Sequence, residues 1–91
     1  MKNSVLTDDM KHCMICGREY PQIHHVFRGK NRKNADEDGY VVPLCMDHHT
    51  GQNGVHRNQE FDQILKEHAQ RHFEKTNTRQ AFIRRYGRSY L

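Results

Sequence analysis

The chain has 91 residues, of which 34% are hydrophobic, and its 15 basic residues outnumber 11 acidic ones to give a net charge of +4. This length suits a single domain, and so small an apolar fraction leaves a core that we expect a disulfide or a bound metal to supplement. No apolar run is long enough to suggest a bilayer-spanning segment. Three cysteines without a signal peptide favour a cytoplasmic metal site over disulfides, which would leave one thiol unpaired.

The N-terminal part of the chain leads into a short cysteine motif. Residues 1–11 show no clean periodicity and are predicted to form a flexible lead-in. The segment "CMICGREY" is a C-x-x-C pair followed by Gly17, and glycine lets the backbone turn back so that the two sulfurs converge. We therefore expect a tight metal-binding knuckle at this point.

Two short strands are predicted, separated by a polar loop. The segment "PQIHHVF" predicts a strand over 20–27, in which His24 and His25 point to opposite faces because strand side chains alternate. The segment "RGKNRKNADEDG" over 28–39 is basic and then acidic, which predicts a loop. The segment "YVVPLC" predicts a second strand, with Pro43 at an edge or at the strand end.

A turn-rich segment over 46–58 precedes two predicted helices. The first covers 59–75 with Asn58 as its N-cap, and the second starts after Thr78 and ends at Gly87. Helical spacing places six residues on one face of the first helix: Phe61, Ile64, Leu65, His68, His72 and Phe73. This order of knuckle, strand, loop, strand, turn and two helices indicates one α+β domain over 1–91.

Cysteine and histidine spacing predicts a structural zinc site. Zinc prefers four thiolate and imidazole ligands in a tetrahedron, which two short-spaced pairs from separate segments supply with little strain. Cys13 and Cys16 form C-x-x-C, while Cys45 and His48 form C-x-x-H, and together they use every cysteine in the chain. The alternative is that three thiols have this spacing by coincidence. A bound zinc would join the two strands and contribute folding energy that the small core cannot.

Four histidines remain near this predicted zinc site. If zinc holds the two knuckles together, His24 and His25 on the first strand meet His49 and His56, which follow the second knuckle. Three imidazoles around a metal and one unligated imidazole would form a hydrolytic site. The alternatives are a bystander at His49, a turn residue at His56, and one core and one solvated imidazole in the doublet.

Two further histidines lie on the first predicted helix. His68 and His72 have the i, i+4 spacing that can bind metal, but the run "EHAQRH" lacks the H-E-x-x-H order of zinc proteases. They fall on the apolar stripe of that helix. We therefore expect packed or partly exposed residues at the edge of the core.

The succession C-x-x-C, "HH" on a strand, "VPLC" followed by x-x-HH, and "NGVH" resembles the HNH endonucleases, also called ββα-metal or His-Me finger nucleases. More narrowly, it resembles the small phage HNH proteins related to a RecA-dependent recombination-enhancement nuclease. The match covers 13–56, and the tail "FIRRYGRSYL" is also similar to that subgroup. The resemblance implies a small zinc-stapled, treble-clef-like ββα-metal core over 13–56, with a helical C-terminal extension over 57–91.

The resemblance also implies roles for single residues. His24, His49 and His56 would ligate one catalytic divalent metal, and His25 would be the general base in phosphodiester hydrolysis that leaves 5′-phosphate products. The metal could be zinc, nickel, manganese or magnesium, although imidazole ligands suit zinc or nickel better than magnesium.

The chain departs from the family pattern at two points. Tyr40 occupies the position of the usual asparagine, which leaves the role of orienting the base unassigned, and Asn31 or Asn34 could substitute. The gap between His49 and His56 is wider than usual. Glycines at 51 and 54 could let the chain loop out and return.

Basic residues directly after the first strand predict contacts with DNA phosphates. These residues are Arg28, Lys30, Arg32 and Lys33. A second group near the C-terminus comprises Arg84, Arg85 and Arg88. The alternative for both groups is a solvated surface. No element looks suited to reading bases, so weak sequence preference is expected.

Two functions are therefore in competition. The first is a metal-dependent DNA endonuclease of phage or prophage origin, acting in recombination or DNA processing in the bacterial cytoplasm. The second is a noncatalytic zinc-binding module that binds DNA or a recombination protein. The sequence leaves the oligomeric state open.

Overall fold

The computed structural model describes residues 4–91 as a small α+β domain with a two-stranded antiparallel sheet and four helices. The strands and helices in chain order are β1 (Gln22–His25), α1 (Arg32–Asp38), β2 (Val41–Leu44), α2 (Met46–His49), α3 (Gln59–Phe73) and α4 (Arg79–Tyr86). Two 3-10 turns cover Gly29–Asn31 and Val55–Arg57. None of the helices in 4–91 has the length and apolar character needed to cross a membrane.

The predicted lead-in over 1–11 is described from Ser4 onward, and its first three residues lie outside the described part of the chain. The Val5 amide donates to the Gly39 carbonyl at 3.0 Å, and Leu6 packs against the core. These contacts connect the start of the described chain to the end of α1.

Both predicted strands are present, each shorter than expected. They pair in antiparallel register with Gln22 opposite Leu44 and His25 opposite Val41. β2 is buried along its whole length, whereas β1 buries His24 and leaves Gln22 exposed. Pro43 lies inside β2, and its carbonyl accepts a hydrogen bond from the Met14 amide at 2.9 Å, which connects the first knuckle to the sheet.

The loop predicted over 28–39 is wrong, because most of this segment folds into a 3-10 turn and α1. Its polar composition conceals one fully buried apolar residue, Ala35, which faces the core. Gly39, with a φ of 80°, ends the helix in the left-handed conformation that glycine adopts without strain. Hydrogen bonds from polar side chains to other parts of the fold also stabilise α1, and the hydrophobic periodicity of the sequence does not reveal them.

Side chains of α1 bond to the C-terminal end of α4. Asn34 donates to the Arg85 carbonyl at 3.0 Å, and Asn31, just before α1, donates to the Tyr86 carbonyl at 2.9 Å. The Asp38 carboxylate accepts from the Arg85 guanidinium at 2.6 and 2.9 Å and from the Tyr86 hydroxyl at 2.6 Å. These bonds satisfy the last carbonyls of α4 and fix α1 against it.

The turn-rich segment after β2 contains α2 and the second 3-10 turn. A Cβ atom at Gly51 would lie 2.7 Å from the Asp47 Cα, and one at Gly54 would lie 2.6 Å from the His49 carbonyl oxygen. Only glycine permits such close backbone approaches. The chain therefore loops out and returns at these two positions, as the sequence predicted.

The two long helices begin where their caps predict. The Asn58 side chain accepts from the Phe61 amide at 3.1 Å, and the Thr78 side chain accepts from the Ala81 amide at 3.1 Å. α3 ends at Phe73, two residues before the predicted end, and α4 ends at Tyr86. Both N-cap predictions are confirmed.

The buried face of α3 differs from the predicted one. Leu65, Ala69 and Gln70 are buried, but Ile64 is 61% exposed and His68 is exposed. Each residue turns about 100° around a helix axis, so a stripe centred on Leu65 and Ala69 directs Ile64 away from the core.

The core lies between β2, α1, α3 and α4 and is rich in aromatic rings. Phe27, just after β1, stacks on Tyr86 with ring centroids 4.3 Å apart, and Tyr86 stacks on Phe82 at 4.8 Å. Tyr40 also lies in this cluster. The aromatic cluster holds the segment after β1 in place and so positions the end of the histidine doublet.

Candidate metal centres

The first candidate centre is a cluster of three cysteines and one histidine. One ligand atom from each of its members lies within 4.8 Å of all the others, and the members are Cys13, Cys16, Cys45 and His48. The Cys45 sulfur lies 3.2 Å from the His48 Nδ1, and the Cys16 and Cys45 sulfurs are 3.6 Å apart. This cluster could hold a metal ion.

Backbone hydrogen bonds lower the pKa of two thiols in this cluster. Burial raises the pKa of the Cys13 thiol, but hydrogen bonds from the backbone of Cys45, Cys16 and Ile15 outweigh burial and lower that pKa to about 6. A hydrogen bond from the His48 backbone lowers the pKa of Cys45. Thiolates are the form that ligates metal, so the shifts at Cys13 and Cys45 favour the ligating state.

The pKa of the third thiol, Cys16, is shifted in the opposite direction. The Arg18 amide lowers the pKa of Cys16, but burial and the nearby Cys45 and Cys13 sulfurs outweigh it and raise the pKa above its usual value. Three sulfurs this close repel one another as thiolates. A bound cation would remove the repulsion, and the donor set therefore fits a metal.

The second candidate centre is a triad of histidines, His24, His49 and His56. One nitrogen from each lies within 4.8 Å of the other two, and the ring of His24 has its centroid 5.2 Å from that of His49 and 5.3 Å from that of His56. His24 comes from β1, His49 from α2, and His56 from the second 3-10 turn. The fold thus brings together the three predicted ligands of the catalytic metal.

His24 carries a buried nitrogen that needs a partner. Its side chain is 1% exposed, and among the described residues its Nε2 is the buried side-chain polar atom left without a hydrogen bond. Burial, with smaller contributions from the nearby His49 and His56 rings, lowers the pKa of His24 to about 3. A buried, neutral imidazole with an unused nitrogen fits a metal ligand, because desolvating a polar atom without a partner is costly.

The other two members of the triad have partners on their Nδ1 atoms. The His49 Nδ1 lies 2.6 Å from the Gln22 Oε1, which only accepts, so His49 donates from Nδ1 and keeps Nε2 free for a metal. The Arg28 guanidinium donates to the His56 Nδ1. A neutral imidazole has one lone pair, so His56 can ligate a metal only after Arg28 releases it.

His25 is not part of the triad and instead contacts α1. Its Nε2 lies 3.0 Å from an Asp36 carboxylate oxygen, and the two side chains are 13% and 26% exposed. Both residues line an open cavity of about 520 Å³. The other residues that line this cavity are Gly29, Lys30, Arg32 and Lys33.

The four predicted DNA-contact residues after β1 lie at two different sites. Lys30, Arg32 and Lys33 lie around the same cavity as His25. Arg28 instead contacts His56, and its guanidinium lies 3.4 Å from the Asp62 carboxylate of α3. In the second basic group, Arg85 bonds Asp38, so it links α4 to α1.

The predicted substitutes for the missing asparagine have other partners. Asn31 and Asn34 donate to carbonyls at the end of α4. Tyr40 is buried, its hydroxyl lies 3.2 Å from the His72 Nδ1, and burial raises its pKa to about 12. Sequence reasoning missed Asp36, because the segment that carries it was predicted to be a loop with no helical register.

No protein-family model matches the chain, and no curated protein or solved structure matches it. Function must therefore be inferred from the residues of the two centres and the cavity. The histidine triad adjoins the cysteine cluster through His48 and His49, which are consecutive in α2, and adjoins the cavity through His24 and His25, which are consecutive in β1.

Proposed function

We propose that this chain is a metal-dependent DNA endonuclease of the HNH type, acting in recombination or processing of phage or prophage DNA in a bacterial cytoplasm. The observation that carries the proposal is the histidine triad, with the unpartnered Nε2 of His24 at its buried end, next in sequence to a histidine in a basic cavity. A structural role alone does not need a buried imidazole left without a partner.

The cysteine cluster would hold a structural zinc. Three thiolates and one imidazole are a donor set typical of closed, four-coordinate zinc sites. Zinc there would link the first knuckle to the segment after β2 and complete the treble-clef-like ββα-metal arrangement. This role accounts for a stable domain with only 34% hydrophobic residues.

His24, His49 and His56 would hold the catalytic divalent metal. When bound, the ion would supply Lewis-acid stabilisation of charge on a phosphoryl oxygen and on the leaving oxygen. An all-imidazole donor set suits zinc or nickel better than magnesium. Burial and the nearby Arg28 charge lower the pKa of these imidazoles and favour the neutral state, which is the state that ligates a metal.

His25 would act as the general base, and the lysines and arginines around it would hold the DNA backbone. A neutral imidazole can accept a proton from water at physiological pH. Lys30, Arg32 and Lys33 line the His25 cavity, where their charges would bind phosphates. Since phosphate contacts carry no sequence information, we expect weak sequence preference.

The test is cleavage of supercoiled plasmid by protein of known metal content. We expect two metals per chain, nicking or cutting that stops with a chelator, and a loss of roughly 100-fold or more in His25→Ala, since general bases contribute about 10²–10⁴. His68→Ala, at an exposed histidine on α3, is the matched control and should cut normally. Wild-type cutting rates in His25→Ala would rule out the base assignment.

One observation favours the alternative, a noncatalytic zinc module that binds DNA or a recombination protein. The Arg28 guanidinium donates a hydrogen bond to the His56 Nδ1, and this bond occupies the lone pair that His56 would use to bind a metal. If this contact persists, the triad offers only two ligands. The alternative predicts one tightly bound metal per chain and DNA binding without cleavage, so the metal count separates the two functions.

A further inference from the structure

We infer that Asp36 is the positioning residue for His25, so that a carboxylate from α1 fills the orienting role left unassigned by Tyr40. The inference rests on the proposed nuclease function and deepens it. The juxtaposition that carries it is the 3.0 Å contact between the His25 Nε2 and the Asp36 Oδ1, at the wall of a cavity lined by basic residues.

The contact determines which nitrogen of His25 can act as the base. A carboxylate offers acceptors only, so the hydrogen in this bond belongs to Nε2. A neutral imidazole carries one N–H, which leaves the lone pair on Nδ1. Asp36 thereby selects the tautomer whose Nδ1 can accept a proton, and its negative charge stabilises the imidazolium that forms.

In the reaction step, His25 takes up the proton of the attacking water. Water gives a proton to Nδ1, and the electron pair of its oxygen forms the new bond to phosphorus. The bond from phosphorus to the 3′-oxygen breaks, its electron pair stays on that oxygen, and solvent water supplies the proton that the oxygen takes up. The His25 imidazolium afterwards returns its proton to solvent, while Asp36 keeps the Nε2 hydrogen bond throughout.

Asp36 is held where this role requires it. Ala35, the preceding residue, is fully buried, and Asn34 and Asp38 bond α1 to the end of α4. A helix fixed at these points gives the carboxylate a constant position relative to β1. Side chains that position a catalytic group act best from such rigid elements.

The residues first considered for this role are committed to other contacts. Tyr40 lies in the core with its hydroxyl near His72, and Asn31 and Asn34 cap the end of α4. The His25 Nε2 instead donates its hydrogen bond to the Asp36 carboxylate. Asp36 is therefore a site residue that the expected pattern of the family does not supply.

The experiment compares Asp36→Asn and Asp36→Glu with wild type in steady-state cleavage of a DNA duplex, with both metals loaded. We expect Asp36→Asn to lower kcat by about 10- to 100-fold, the usual effect of losing an orienting partner, with KM for DNA little changed. Asp36→Glu should recover part of kcat. Lys33→Ala, in the same cavity, should instead raise KM.

A double variant separates positioning from a structural role. In a His25→Ala background, Asp36→Asn should have no further effect, because its partner is already gone. Full activity in Asp36→Asn, or an equal further loss in the His25→Ala background, would overturn the inference. If Asp36→Asn does not fold, Asp36→Glu is compared with His25→Ala, and a kcat in Asp36→Glu no higher than that of His25→Ala would count against the inference equally.

The failure of the proposed function gives a different result. Wild-type protein that holds both metals and does not cut DNA would overturn the nuclease proposal and this inference with it. Wild-type protein that cuts, loses activity in His25→Ala and keeps it in Asp36→Asn would overturn the positioning role alone.

Discussion

Adjacent residues in β1 have different surroundings, and the chemistry of the candidate site depends on that difference. His24 is buried against two other imidazoles, whereas His25 bonds a carboxylate at the edge of a basic cavity. Strand alternation predicts this separation from sequence alone. What alternation cannot predict is the identity of the group on the far side, because Asp36 reaches His25 only through the fold of α1.

Arg28 is the residue whose removal should change metal binding at the triad. Its guanidinium bonds the His56 Nδ1, so Arg28→Met frees that lone pair and removes a positive charge beside the ion. A like charge at this range costs on the order of 1 kcal/mol in solvent-exposed surroundings, which is about fivefold in Kd. We expect calorimetric titration of nickel into zinc-loaded protein to show this tighter binding.

The matched control for Arg28→Met removes the same charge from the cavity beside His25. Lys30 lines the His25 cavity and not the triad, so Lys30→Met should leave nickel affinity nearly unchanged. Equal effects of the two variants would indicate a response to net charge, and the contact with His56 would then have no part in it.

At the scale of elements, the bonds between α1 and α4 give the clearest stability prediction. Asp38 accepts three hydrogen bonds from Arg85 and Tyr86, and its side chain is 22% exposed. Asp38→Asn removes the charge and leaves part of these donors without acceptors, which should destabilise the fold by about 2 kcal/mol. Urea unfolding followed by circular dichroism measures the change.

Glu37 offers a control one position away on the same helix. Its carboxylate bonds Arg85 at 3.2 Å but is 52% exposed, so Glu37→Gln removes an equal charge from a solvated contact. The change should stay within about 0.5 kcal/mol of wild type. A loss as large as that of Asp38→Asn would mean that overall charge, and not the partly buried acceptor at Asp38, controls stability.

The elements also show how far sequence reasoning reaches. Caps at Asn58 and Thr78 predicted the starts of α3 and α4, because capping depends on local chemistry. α1 could not be predicted in that way, since its stability rests on contacts with α4 across the fold. The ligands of the cysteine cluster follow from short spacings within knuckles, and those of the triad were expected from the family resemblance, whereas the Arg28 contact and the Asp36 contact depend on tertiary packing.

At the scale of the whole molecule, metal removal should unfold the domain. The two knuckles lie far apart in sequence, and the cysteine cluster joins them where the sheet is only two strands wide. In small domains of this kind the free energy of metal binding is largely the free energy of folding. We expect a chelator to abolish the far-ultraviolet circular dichroism of a folded chain, and added zinc to restore it.

The two centres should differ in this experiment. Cys45→Ser removes a ligand of the cysteine cluster and should unfold the chain, whereas His56→Gln alters the triad at an exposed residue and should keep the fold. A chelated wild-type chain that melts cooperatively at the holoprotein temperature would contradict a stabilising metal in the cysteine cluster.

His48 and His49 are consecutive residues of α2, and each belongs to a different centre. An ion in the cysteine cluster would fix the backbone of α2 and so reduce the entropy that is lost when the histidine triad binds its own ion. Thermodynamic reciprocity then requires an ion in the triad to tighten the cysteine cluster by the same factor. We therefore expect ordered, cooperative loading, in which the supply of the first metal limits how much of the protein can use the second.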